Sequence, residues 1–171
     1  MKYTLAFFSA LLLLTSHAKC DANPGDTHLF TSHSFISHPP LVITKGHTIP
    51  FDNGSSTVGG NIKQTSTDTI TINSTGTYCV TFMASTYSLD STTVADLVSA
   101  TDTAQVQLYL NGKAVGPEST IGIRGAGIVL DTLLSIPTIP ATLVVKVNND
   151  DLRLGKSNPA TLSIYKISNN P

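Results

Sequence analysis

The stretch "INSTGTYCVTF", residues 72–82, alternates in a two-residue period: Tyr78, Val80 and Phe82 fall on one face, Thr77, Cys79 and Thr81 on the other. That is the pattern of a half-buried β-strand, with the Tyr-Val-Phe stripe toward a core. Cys79 is thereby directed away from the core.

Working outward, further strand patterns recur at intervals of roughly ten residues. They are "LVITKG" (41–46) with "HTIPF" (47–51), "DTITI" (68–72), "AQVQLYLNGK" (104–113), "STIGIRG" (119–125), "GIVLDTLLSI" (127–136), "ATLVVKV" (141–147), "DDLRL" (150–154) and "ATLSIYKI" (160–167). In 104–113, Ala104, Val106, Leu108 and Leu110 point inward and Gln105, Gln107 and Tyr109 outward. The Asn111-Gly112 pair that follows predicts a two-residue hairpin, because both residues tolerate positive φ. Serine and threonine make up about a quarter of the chain and the single glutamate is Glu118, a composition that favours short strands over helices. Eight to ten strands in one domain predict an all-β fold, a β-sandwich or jelly roll.

The N-terminus, "MKYTLAFFSALLLLTSHAKC", has one lysine, an apolar run of about a dozen residues, and Ser16-His17-Ala18 with small residues at the positions a signal peptidase reads. Residues 1–18 are therefore read as a secretory signal peptide. The run is shorter than the ~20 residues of a spanning helix. Residues 19–40 read as an N-terminal arm and 41–171 as a single domain. The 153 residues after Ala18 are enough for one domain with a core, and their formal charge of about −2, without a basic patch, argues against nucleic acid. No later apolar run is long enough for a membrane span.

Cys20 and Cys79 are the only cysteines. In an exported protein they form a candidate disulfide. Cleavage after Ala22 instead of Ala18 would discard Cys20, and both readings stay open.

The strings "KGHTIPFDN" (45–53), "TITINSTGTYCVTF" (69–82) and "VQLYLNGKAV" (106–115), in this order, resemble the jelly-roll domains of the tumour-necrosis-factor (TNF) and complement-globular-head superfamily. The matching residues are Gly46, Ile49, Pro50 and Phe51, then Gly76, Tyr78, Val80 and Phe82, then Leu110, Asn111 and Gly112, and "ATLSIYKI" resembles the family's last core strand. The chain looks most like the bacterial branch found at the tips of exosporium and collagen-like surface filaments. It departs from that branch in lacking a collagen stalk, in an insertion at 85–103, and in "TIPATL" (138–143) where the family carries a Gly-Asp turn. The resemblance implies a homotrimer in which flat, partly aromatic sheet surfaces meet around a threefold axis. Tyr78, Phe82, Tyr109 and Tyr165, read as lying on different faces, fit such a surface.

Chemistry is sparse. No serine lies in a Gly-x-Ser-x-Gly elbow, and one glutamate with turn-type aspartates gives no paired carboxylates, so catalytic residues are not expected. His28, His33 and His38 recur every five residues. That spacing gathers three ligands on neither a strand nor a helix, so no metal is expected. "NNDD" (148–151) reads as a turn, because it lacks the spacing of a calcium loop. Arg124, between glycines in "GIRGAG" (122–127), is the candidate ligand-binding residue, free to meet a carboxylate or sugar. The long polar stretch 85–103, with one helical turn around Val94–Val98, is either a binding loop or a plain surface insertion.

The sequence thus predicts a secreted, non-enzymatic recognition module that needs no cofactor. It would be a trimeric jelly roll whose partners are its own copies and an extracellular protein or glycan. The alternative is a structural component of a surface layer or filament cap.

Overall fold

The computed structural model describes residues 28–33, 41–51, 55–85, 104–120, 127–154 and 160–171. They form twelve strands: β1 (His28–His33), β2 (Leu41–Ile43), β3 (Ser55–Val58), β4 (Ile62–Gln64), β5 (Ile70–Ile72), β6 (Gly76–Ser85), β7 (Gln105–Leu110), β8 (Lys113–Thr120), β9 (Gly127–Ile136), β10 (Ala141–Val147), β11 (Leu152–Leu154) and β12 (Ala160–Ser168). Two five-stranded sheets, ordered β3-β1-β12-β6-β9 and β4-β5-β10-β7-β8, and a two-stranded β11-β2 ribbon carry them all. Neighbouring strands pair antiparallel. Strands distant in sequence lie side by side and successive strands cross between the sheets, which is the wiring of a jelly roll. No helix occurs among the described residues, so none of them forms a helix long and apolar enough to cross a membrane.

The core lies between the two large sheets. From β6 come Tyr78, Val80, Phe82 and Ala84, from β9 Ile128, Leu130, Leu134 and Ile136, and from β12 Leu162 and Ile164. The facing sheet contributes Ile70, Ile72, Val106, Leu108, Leu143, Val145 and Val147. Phe51 and Phe82, both fully buried, meet edge-to-face with centroids 6.3 Å apart, a favoured aromatic geometry. The segment carrying Phe51 runs along β10: the Gly46 amide donates to the Val147 carbonyl at 2.7 Å and the Ile49 amide to the Val145 carbonyl at 2.8 Å. Asp68 pins the same segment, accepting from the Thr48 hydroxyl and, at 2.6 Å, from the Ser66 hydroxyl. These bonds favour the carboxylate and hold the Asp68 pKa below its ordinary value, against a smaller opposing effect of burial.

The alternation read for 72–82 and 104–110 is the observed one. Asn111 (φ 51°) and Gly112 (φ 76°) form the two-residue turn between β7 and β8, and the Asn111 Oδ1 accepts from the Thr142 amide at 2.8 Å. Gly76 opens β6 at φ 145°, where it passes the bulge at Lys166/Ser168 in β12. A Cβ there would stand 2.3 Å from the Ser168 carbonyl oxygen, so only glycine fits.

The structure differs from the sequence reading at three strands. Residues 28–33, inside the segment read as an arm, form β1, which sits between β12 and β3 in the sheet. β3 and β4 lie between "HTIPF" (47–51) and "DTITI" (68–72), where the sequence shows no strand pattern. The periodic signal is weak in each: Leu29 is the one apolar residue of β1 in phase with the core, "SSTV" has no large core residue, and β4 contributes only Ile62.

Candidate functional site

The outer face of the five-stranded sheet β3-β1-β12-β6-β9 is the candidate site. Residues of β6 and β9 that alternate with the core set project from it: Thr77, Cys79, Thr81 and Met83 on β6, and Val129, Asp131, Leu133 and Ser135 on β9. Pairing puts them in rows, Met83 beside Val129, Thr81 beside Asp131, and Cys79 beside Leu133. Met83 is 50% exposed, Val129 56% and Leu133 48%. On β12 the half-buried Tyr165 continues the Cys79 row, and Ile167 at the bulge is exposed. Met83, Val129 and Leu133 stand open together on two paired strands whose inner face is packed into the core. An unpartnered apolar stripe of that kind marks a contact surface.

One acid interrupts the stripe. Asp131 Oδ1 accepts from the Thr81 hydroxyl at 3.0 Å and lies 3.7 Å from the Cys79 sulfur. Cys79 lies on the outer face, as its phase predicts, but it is completely buried. It is also committed to a disulfide, and no described cysteine is free.

The outer face of the other sheet is polar. The Tyr109 hydroxyl donates to Asn148 Oδ1 at 3.0 Å, and Asn148 Nδ2 donates to Glu118 Oε1 at 2.8 Å and to Gln107 Oε1 at 3.3 Å. Lys146 Nζ stands 5.4 Å from the Tyr109 ring centre, within cation–π range. At the other end of the "NNDD" turn, Asp151 Oδ1 accepts from the Lys45 amide at 2.8 Å. Asn148 and Asp151 therefore serve two separate structural ties. Among the described residues no three of His, Cys, Asp and Glu gather in metal-binding geometry. His47 is exposed, its Nδ1 3.4 Å from the Lys45 carbonyl.

The four aromatics read as lying on different faces divide in two. Tyr78 and Phe82 belong to the core, whereas Tyr109 and Tyr165 are half-buried on the outer faces of opposite sheets. The apolar stripe falls instead on Met83, Val129 and Leu133, which the sequence reading does not single out. Its signal was present: in "GIVLDTLLSI" both alternating sets carry large apolar residues, the mark of a strand covered on both sides. Arg124, Cys20, His38 and residues 86–103 lie outside the described residues.

The fold is a TNF-like jelly roll. The chain is similar to murine APRIL, with a TM-score of 0.60 at 9% identity over 83% of this chain and 99% of that one. It is similar to Eiger TNF from S. frugiperda to the same degree, 0.60 at 9% over 85% and 96%. The PRD1 vertex protein P5 matches at 0.56 and 14% identity, covering 98% of both chains. No family model matches the sequence, and no curated protein matches it.

Proposed function

We propose that this chain is an exported, non-enzymatic recognition module that assembles as a homotrimer through the outer face of the β3-β1-β12-β6-β9 sheet and presents its loops to an extracellular protein or glycan. The observation that carries this reading is the open apolar stripe of Met83, Val129 and Leu133 on an otherwise well-packed sandwich. Burying it against copies of itself removes apolar area from water at about 25 cal/mol per Å². A closed ring leaves no such face uncovered. Export rests on residues 1–18 as a signal peptide, and the disulfide at Cys79 fits an oxidising compartment. Arg124, between β8 and β9 in the sequence, remains the candidate ligand contact. Three copies of one loop set bind multivalently, so weak single contacts sum to useful avidity.

A test is binding of the intact exported protein and of Leu133→Asp to arrays of extracellular proteins and glycans. The wild type is expected to retain at least one ligand that Leu133→Asp binds at least ~100-fold more weakly. Absence of any ligand for the wild type would contradict a recognition role.

A second reading is a structural component of a surface assembly, whose partners are other subunits. It is favoured by the likeness to a vertex protein over 98% of both chains, against 83–85% of this chain for the APRIL and Eiger matches. Finding the native protein tightly bound to particles or cells, and not free in the medium, would select it.

A further inference from the structure

We infer that Asn73, on the turn joining β5 to β6, is the acceptor of an N-linked glycan, an assignment that rests on the export proposed for this chain. Asn73-Ser74-Thr75 is an Asn-x-Thr triplet whose middle residue is not proline, the pattern of an N-glycosylation acceptor in a secreted chain. Within it, the fold uses only the middle residue and the main chain. Ser74 is half-buried: its carbonyl accepts from the Tyr78 hydroxyl at 2.7 Å, and its Oγ meets that hydroxyl at 2.5 Å. The Asn73 amide donates to the Asn61 carbonyl at 2.7 Å. Asn73 and Thr75, the two residues that define the acceptor, are exposed. Turns commonly take asparagine for a positive φ or for a local side-chain hydrogen bond. Asn73 has neither: the positive-φ asparagine is Asn111, and among the described residues the Asn73 carboxamide makes no hydrogen bond.

The surroundings leave room for a sugar. Residues 73–75 cross from one large sheet to the other at the end of the sandwich, beyond Ile72 of β5 and the row of Gly76 and Ile136. Beside Asn73, the turn between β3 and β4 is Gly59-Gly60-Asn61, all exposed, and a Cβ on Gly60 would meet nothing within 4 Å. From Gly76 to Met83 along β6 is roughly 23 Å, so a glycan at this end leaves the Met83–Val129 part of the stripe open. Transfer forms one C–N bond and breaks one C–O bond. The Asn73 carboxamide nitrogen attacks the anomeric carbon of a lipid-diphosphate-linked oligosaccharide, the lipid diphosphate leaves with the electron pair, and the amide proton passes to a carboxylate of the transferase. The product is a bulky, solubilising group on the turn. A second such triplet, at 53–55, begins outside the described residues, and the assignment concerns Asn73.

The test is a peptide map by mass spectrometry of the full chain after export from its own source cells. It is made before and after a peptide:N-glycosidase, which removes an N-linked glycan and leaves aspartate at the acceptor. The peptide holding Asn73 is expected to carry glycan mass before treatment and to read aspartate at that position only afterwards. Thr75→Ala is expected to lose the glycan and Thr75→Ser to keep it. Both should retain the circular dichroism of the wild type, because Thr75 is exposed and Ser74 makes the Tyr78 contact. A bare Asn73 on processed wild-type chain would overturn this inference alone, as would a glycan at Asn73 that persists in Thr75→Ala. A chain that keeps residues 1–18 would overturn the export reading and this inference with it. None of these readouts depends on trimer formation, so the glycan and the assembly stand or fall separately.

Discussion

Tyr78 shows how one side chain ties the core to its rim. The ring is fully buried, and its hydroxyl donates to the Ser74 carbonyl at 2.7 Å and meets the Ser74 Oγ at 2.5 Å. Lys166 Nζ lies 5.9 Å from the ring centre, at the bulge of β12. Burial raises the phenol pKa above its ordinary value of 10.0, because the charged form cannot be hydrated there, while the Ser74 bond offsets part of that shift. A group whose pKa is raised by folding contributes its full stability below the unfolded value and loses it as pH climbs through the folded one. Stability of the wild type is therefore expected to fall above about pH 10, where the unfolded chain ionises first. Tyr78→Phe should lose about 1 kcal/mol at neutral pH through the missing hydrogen bond, and should fall less steeply with alkali. Denaturant melts at pH 7 and pH 10.5 check both, and an equally steep loss in the variant would contradict this role for Tyr78.

β6, β7 and β10 were legible because each has one apolar face and one polar face, so the period of two stood clear of its background: Val106 and Leu108 against Gln105 and Gln107, for example. β1, β3 and β4 were not. Their position is set by pairing, β1 with β12, β3 with β1 and β4 with β5, and backbone hydrogen bonding leaves no mark on side-chain pattern. The candidate face was half legible. Phase placed Cys79 on the outer side, but its complete burial there leaves no mark on the alternation. β9 carries the sharpest prediction at this scale, because adjacent leucines face opposite ways: Leu134 is 5% exposed in the core and Leu133 is 48% exposed outside. Leu134→Asp buries an unpaired charge and should abolish the cooperative melt, at a cost of about 4 kcal/mol or more. Leu133→Asp should keep the far-ultraviolet circular dichroism of the folded sandwich. Equal damage from both would mean that the strand does not present two such faces.

For the whole molecule, the fold alone is compatible with recognition, structural or assembly roles, since one architecture hosts many functions. What narrows the choice is the contrast between two outer faces. The β4-β5-β10-β7-β8 sheet has Tyr109, Asn148, Gln107 and Glu118 joined in one hydrogen-bonded group. The β3-β1-β12-β6-β9 sheet shows open apolar side chains around Asp131. Self-association through the second face is the central claim. The measurement that tests it most directly is the solution mass of the exported protein by size exclusion with light scattering, for wild type and for Leu133→Asp. The account predicts three copies for the wild type, unchanged by reductant, and a single copy for Leu133→Asp. A monomeric wild type, or a trimer indifferent to a charge at Leu133, would contradict it.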